Sequence, residues 1–300
     1  VNVRPFRNAD ARAVAGLVTA GVRGGRVYLP EHFRESPDPQ RRLVAERGGE
    51  VIATAHLLPF GDSAPDALRL DLAGEGAAFT PLYLALLSDV PSGFSRLLGV
   101  CREDFSEQMA FFAAAGFRNA WQSWGARLKL QTFDFARFRP LEEKLFLAGY
   151  EVERWPAHPS QADWSALHAL CVFGERDAPR NPTTSPEPLT LEALRRSAGG
   201  EGAAFVIRWR GEPVSLAHLT VAGGRAAEVE LAGTVTHPAH RSRGLATLLG
   251  ARALAWAQAE GHRQAGTGGA VLNLPLLRVC TRLGYLPEPM WVTWERAAFR

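Results

Sequence analysis

Residues 237–246 read His-Pro-Ala-His-Arg-Ser-Arg-Gly-Leu-Ala, the stretch of the chain best equipped for chemistry. Upstream, 227–236 reads as a strand that Pro238 ends. Downstream, Leu245, Leu248, Leu249 and Trp256 recur at helical spacing. A helix opening here leaves the backbone N–H groups of residues 241 to 246 without intrahelical acceptors, and its dipole favours an anion at that end. Arg241 and Arg243 add charge, and Gly244 lets the backbone approach a ligand closely. A pyrophosphate suits such a turn. In isolation the same residues also describe a solvated basic turn, so the surrounding elements must decide.

Those elements occur twice. Gly49-Glu50-Val51-Ile52-Ala53-Thr54-Ala55-His56-Leu57 matches Gly211 to Leu219 at an offset of 162, and Leu70 to Gly74 matches Val229 to Gly233 at 159. Gly116-Phe117, followed by Trp121 and Trp124, matches Gly284-Tyr285, followed by Trp291 and Trp294. Three matches in one order indicate a duplicated domain. Copy one reads as strand 2–6, helix 10–18, strands 43–47, 51–58 and 68–73, helix 105–115, and two last strands near 118–124 and 127–131. Copy two reads as strands near 151–155, 204–209, 214–220 and 227–236, helix 243–260, strand 263–267, helix 274–283 and strand 290–295. Between the copies, 133–149 reads as a helical connector, with Leu141, Leu145 and Ala148 on one face. The proline-rich 180–188 reads as a loop of the kind that covers substrate.

On this strand–turn–helix, Arg241, Gly244 and Ala246 resemble the acetyl-CoA signature of the GCN5-related N-acetyltransferases (GNAT), Arg/Gln-x-x-Gly-x-Gly/Ala. Thr267-Gly268-Gly269, Asn273, Pro275 and Leu283-Gly284-Tyr285 look like the family's next strand, helix and closing Gly-aromatic pair. The resemblance covers about residues 150 to 300. It implies an α/β chain of two tandem GNAT-like domains, each a mixed central sheet flanked by helices: a degenerate domain at 1–132, the connector at 133–149, and an acetyl-CoA-binding domain at 150–300. By the same resemblance, Thr234, Val235 and Thr236 pair with the pantetheine arm and the Thr234 N–H receives the oxyanion. Arg241, Ser242, Arg243, Gly244, Leu245 and Ala246 would hold the pyrophosphate, and Asn273 would touch the coenzyme arm. After Gly74 copy one continues Glu75 to Pro81 with no arginine or matching glycine spacing, and from Gly74 to Gly116 it is nine residues shorter than its counterpart. It is therefore expected to bind no coenzyme. A tandem pair with a worn first half resembles mycothiol synthase and its relatives in architecture.

An amine arrives as an ammonium and must lose a proton before it attacks a thioester. Glu230 stands eleven residues before Arg241, where some family members place a base; a solvent-facing strand glutamate is the alternative. Its even spacing to Thr234 puts both on one strand face, unless a bulge at Gly233 intervenes. Where many relatives carry a tyrosine, four residues before the closing glycine, this chain has Cys280. That thiol is either a proton donor to the leaving thiolate or a small buried helix residue. Asn273 is equally a helix N-cap. His56 and His218 take matching strand positions and read as structural, Tyr285 reads as core, and His237 and His240 lack metal-ligand spacing. Glu175 and Asp177 would suit a cationic amine.

With 300 residues, 46% hydrophobic and 22% charged, the chain is sized for two globular domains. Its basic residues are arginines apart from Lys129 and Lys144, and they are scattered among acids, which argues against a nucleic-acid surface. The longest apolar run, Met109 to Phe117, is too short to span a membrane, and Arg4, Arg7, Asp10 and Arg12 leave no signal-peptide core. Three distant cysteines fit a reducing cytoplasm. The expectation is a cytoplasmic N-acetyltransferase that uses acetyl-CoA and no metal, and attacks directly from a small-molecule amine in a ternary complex. The alternative is a non-catalytic acyl-CoA-binding regulatory protein. Acceptor identity and oligomeric state stay open.

Overall fold

The computed structural model describes residues 1–22, 27–35, 42–88, 90, 92–185, 187–198, 202–221 and 227–297. The chain forms two compact units. Unit 1 takes Val1–Gln122, Asn181–Pro186 and Pro289–Arg300; unit 2 takes Ser123–Arg180 and Glu187–Glu288.

Unit 1 contains β1 (Asn2–Pro5), α1 (Ala11–Gly21), β2 (Arg42–Arg47), β3 (Glu50–Pro59), β4 (Ala67–Gly74), α2 (Phe79–Leu87), β5 (Arg96–Arg102) and α3 (Ser106–Ala114). Its strands follow the order β1-β2-β3-β4-β5, and β4 and β5 pair in parallel only from Ala67 to Arg69. β6 (Arg118–Lys129) begins in this unit and continues into the next. The sheet is completed by β13 (Trp291–Ala297), antiparallel to β5 along its whole length. Trp294 on β13 stacks on Phe112 at 6.0 Å within a cluster that includes Phe79, Phe111 and Phe117. Glu295, 8% exposed, accepts from Arg118 at 2.6 Å and from Arg96 at 3.3 Å, so this buried carboxylate is neutralised on both sides.

Unit 2 contains α4 (Arg139–Leu147), β7 (Tyr150–Arg154), α5 (Gln161–Asp177), α6 (Leu191–Ala198), β8 (Gly202–Trp209), β9 (Glu212–Val221), β10 (Glu228–Thr236), α7 (Leu245–Ala259), β11 (Gln264–Ala270), α8 (Leu274–Leu283) and β12 (Leu286–Pro287). Its strand order is β6-β11-β10-β9-β8-β7, with Ser123–Lys129 of β6 antiparallel to β11. Ser160 caps α5 and closes a reciprocal capping box with Asp163. Leu245, Leu248, Leu249 and Leu254 of α7 are buried, whereas Trp256, expected on the same face, is only partly covered and lies beside Arg154. Gly284 stops α8 in the left-handed region, with the Tyr285 N–H returning to Cys280 O at 3.0 Å.

Several expectations need correction. α2 and β5 of unit 1, and α5 and α6 of unit 2, occur in addition to the elements whose ranges the sequence predicts. The two strands expected at 118–124 and 127–131 are one twelve-residue strand, β6. The compact units also do not follow the expected division at 132 and 150. The last strand of each copy is exchanged: β13, from the second half of the sequence, completes unit 1, and the distal part of β6, from the first half, lies in unit 2. Residues 135–147 are helical as expected and belong to unit 2.

The exchange makes a checkable claim about where stability resides. Trp294→Ala should destabilise by about 3 kcal/mol, the usual cost of truncating a large buried aromatic. Amide hydrogen exchange should quicken in β5 and leave β9 and β10 protected. Loss of protection in β9 and β10 instead would contradict the assignment of β13 to unit 1.

Candidate coenzyme and acyl-transfer site

β10 pairs with β11 in parallel only as far as Leu231, opposite Thr267. Along its other edge β10 stays antiparallel to β9 through Thr236, with a register shift between Leu231 and Gly233. Ala232 is thus the extra residue of a β-bulge. The Thr267 hydroxyl donates to Leu231 O at 3.3 Å where pairing with β11 ends. The His237 N–H donates to Val214 O at 2.8 Å on β9. By ladder alternation Val235 turns its backbone groups to β9 as well, so Thr234 and Thr236 point theirs at the unpaired edge. Thr236 O there accepts from Arg241 Nε at 3.0 Å, while its hydroxyl bonds Ser215 Oγ at 2.8 Å.

The bulge overturns one expectation. Thr234 lies opposite Ala217 and Leu231 opposite Leu219, so these two share a face; Glu230, opposite Thr220, is on the other with Gly233 and Val235. The even spacing from Glu230 to Thr234 therefore does not put them on one face.

After β10 the His237 ring nitrogen Nδ1 accepts from the Ala239 N–H at 3.3 Å, and residues 238–240 make one tight turn. Ser242 (φ 61°) and Gly244 (φ 93°) both adopt left-handed backbone. Gly244 is the N-cap of α7, and a Cβ there would stand 2.9 Å from the Leu141 side chain. Among the described residues, the N–H groups of Ser242, Arg243, Gly244, Leu245 and Ala246 have no hydrogen-bond acceptor. Leu245 is buried and anchors the helix start. Arg241 pairs with Asp177 at 2.5 Å, and Arg243 reaches Ala239 O at 3.5 Å. The result is a cluster of unused donors beneath two guanidinium groups.

Glu230 aligns with Gly266 of β11 and, one strand further, with Arg127 of β6. A Cβ at Gly266 would collide with the Glu230 carboxylate, so the missing side chain is what lets that carboxylate lie across β11. Desolvation raises its pKa; Arg127 opposes the shift, and Glu228 and Glu288 reinforce it. A raised pKa brings a carboxylate nearer the range useful for proton transfer at neutral pH. Cys280, by contrast, is 1% exposed, and burial pushes its thiol up to about 11, with Thr267 as a partial counterweight. Its surroundings are those of a core residue. Asn273 caps α8, accepting from the Leu276 N–H at 3.3 Å. Tyr285 is buried, as expected, yet its hydroxyl has no partner among the described residues, a feature the sequence did not signal.

The acids expected to meet a cationic amine are already engaged: Asp177 by Arg241, and Glu175 by the Leu189 N–H at 3.4 Å. Of the 180–188 loop, Pro186 lies outside the described residues. Thr183 is 1% exposed, and Ser185 N donates to Ser63 O at 2.6 Å within unit 1, so this part of the loop is structural. Beside the turn, Phe173, Trp209, His237 and His240 line a pocket of about 490 Å³ that the sequence did not foreshadow, because its walls come from α5, the β8–β9 turn and residues 237–240. Among the described residues no group of His, Cys, Asp and Glu side chains could hold a metal ion, and no helix is long and apolar enough to cross a membrane.

Residues 164–285 match the family model described as Acetyltransferase (GNAT) family. No curated protein matches the chain. Solved structures share its fold. A GCN5-related N-acetyltransferase from Sphaerobacter thermophilus aligns over 100% of this chain and 96% of its own at 14% identity and TM-score 0.64. A tandem GNAT protein from the clavulanic acid biosynthesis pathway aligns over 100% and 99% at 18% identity and TM-score 0.59. A GCN5-related N-acetyltransferase from Kribbella flavida aligns over 85% and 89% at 20% identity and TM-score 0.52. Residues 164–285 thus match the GNAT acetyltransferase family, in a chain that shares its fold with solved structures including a tandem GNAT protein.

Proposed function

We propose that unit 2 is an acetyl-CoA-dependent N-acetyltransferase acting on a small-molecule amine. The observation that carries this reading is the conjunction of two backbone surfaces: the edge of β10 at Thr234 and Thr236, which has no strand partner among the described residues, and the donor cluster from Ser242 to Ala246. An extended pantetheine amide chain suits the first as a neighbouring strand would, and a pyrophosphate suits the second. Acetyl-CoA supplies the thioester. Thr234 N–H donates to the oxygen that gains charge on attack, where a fixed donor is worth more than water. Glu230 accepts the ammonium proton, directly or through a water, and the amine attacks without a covalent enzyme intermediate. Arg241 must exchange Asp177 for phosphate as the coenzyme binds. Cys280 is left to the core, and Asn273 to capping α8. Three widely spaced thiols support a reducing, cytoplasmic setting.

In unit 1, β4 leads through Glu75 and one tight turn directly into α2, with no arginine in between. One acetyl-CoA per chain is therefore expected in a calorimetric titration. Gly244→Glu, which places a negative side chain in the donor cluster at a left-handed position, should abolish binding. A stoichiometry of two, or an unchanged affinity in this variant, would reject the assignment.

Glu230→Gln separates catalysis from stability. Turnover at neutral pH should fall on the order of 100-fold and recover as pH approaches the amine's own pKa. Turnover equal to the parent's at neutral pH would exclude Glu230 as the base. The same variant should melt no lower than the parent at pH 8, because burial penalises the ionised carboxylate. Folding raises the pKa of Glu230, so its stabilising contribution is greatest below the unfolded pKa. It is lost as pH rises through the folded one. Any Tm advantage of the variant should accordingly shrink on acidification, which calorimetry at several pH values will test.

A further inference from the structure

Unit 1, which lacks the phosphate turn, has a larger pocket of about 710 Å³ between α1, the strands β2 to β5, and α3. Arg42, His56 and Asp71 stand in one row across β2, β3 and β4. Asp71 is already engaged by Arg69 through two hydrogen bonds of 2.8 and 2.9 Å. Among the described residues Arg42 has no carboxylate within ion-pair distance, although it lies over the Phe33 ring at 5.0 Å and burial lowers its pKa to about 10. It remains charged at neutral pH. Two of its five N–H groups are used: one on His56 Nδ1 at 2.9 Å, one on Thr54 Oγ1 at 3.4 Å.

That contact also sets the histidine. A guanidinium can only donate, so His56 Nδ1 must accept, and the ring is neutral with its proton on Nε2. Burial and the Arg42 charge favour the same form, lowering its pKa to about 3. The Nε2–H has no protein acceptor among the described residues. Among the described residues the pocket thus holds a cation that feels the Asp71 charge without pairing to it, and a neutral N–H donor beside it, with Leu72, Phe105, Phe112 and Trp291 among its apolar walls.

The corresponding row in unit 2 is Ala204, His218 and Gly233. The histidine is common to both units, but the charged residues on either side belong to unit 1 alone. The fold therefore does not require them. A half-buried cation with no acid at ion-pair distance among the described residues is costly unless a ligand completes it.

We propose that the pocket of unit 1 binds a small monocarboxylate with an apolar or aromatic body, its carboxylate held by Arg42 and the His56 Nε2–H. A phosphate dianion fits less well, because Asp71 stands in the same row and the donors are few. The site is separate from the coenzyme site proposed for unit 2, and its test does not depend on turnover.

The full-length chain should be titrated with phenylacetate, indole-3-acetate and octanoate, with the matching amides and inorganic phosphate in parallel. Calorimetry and intrinsic tryptophan fluorescence provide the readouts. At least one carboxylate should bind saturably, with its amide at least about 10-fold weaker, since a carboxylate–guanidinium pair in a desolvated pocket is worth more than one such factor. Arg42→Met should weaken the carboxylate by a similar or larger factor and leave the amide unchanged. Should that variant not fold, Val18→Trp, which fills the pocket from α1 on the side of Phe33 without touching its charges, must abolish binding. No saturable carboxylate binding at millimolar concentrations, equal affinity for acid and amide, or phosphate as the tightest ligand would each overturn the proposal.

Discussion

One extra residue in one strand organises unit 2. Ala232 interrupts the ladder between β10 and β9, and from that point β10 has no strand partner on the β11 side among the described residues. An unpaired strand edge is ordinarily a liability, because its N–H and C=O groups invite the wrong neighbour. Here it is short, begins where the Thr267 hydroxyl holds Leu231 O, and ends where Arg241 returns to Thr236 O. These two bonds bracket the open stretch. The turn that follows stays productive because Ser242 and Gly244 accept left-handed backbone, and this aims successive N–H groups outward instead of into α7. Bulge, open edge and turn form one continuous device, and α7, anchored by Leu245 and Leu248, holds it from behind.

The parts of this device that depend on neighbours in sequence were legible there. Arg241, Gly244 and Ala246 lie within six residues, and the strand before and helix after them have strong local patterns. Helix α8 was readable to its exact ends because Asn273 and Gly284 are local start and stop signals. Long-range pairing was not readable. The bulge falls at Ala232, one residue before the glycine that invites one, since its position is decided by registry with β9. In α2 the residues Phe79, Leu82, Tyr83 and Leu86 do recur at helical spacing, but Pro81 and the apolar residues between them mask the pattern, and the proline-rich stretch before α6 hides its short apolar face. The strand exchange was invisible for a simpler reason: β6 and β13 are equivalent in the repeat, and nothing local says which copy's sheet each will enter.

His56 and His218 show how the repeat can mislead. Their matching positions suggest a shared structural role, yet His218 is buried whereas His56 is only partly covered and lines the pocket of unit 1. What distinguishes them lies on adjacent strands, at Arg42 and Asp71 in one unit and at Ala204 and Gly233 in the other. Comparing the two copies row by row across the sheet, and not only along the chain, reveals where charge was added to a common frame. Degeneracy of the coenzyme turn and elaboration of the neighbouring pocket occur in the same unit.

The strand exchange also bears on the order in which the protein can be made. A chain leaving the ribosome usually folds its N-terminal domain first. Here the first-synthesised unit lacks its last strand until Trp291–Ala297 emerges, whereas the second needs nothing beyond Glu288. Unit 2 is therefore complete before unit 1, even though unit 1 starts earlier. Until then β5 has a bare edge and the ring of Phe112 lacks its cover from Trp294. From the emergence of Phe112 until Trp294 follows it, the nascent chain thus carries an exposed aromatic surface, and that interval is when a holding chaperone would matter most to this protein.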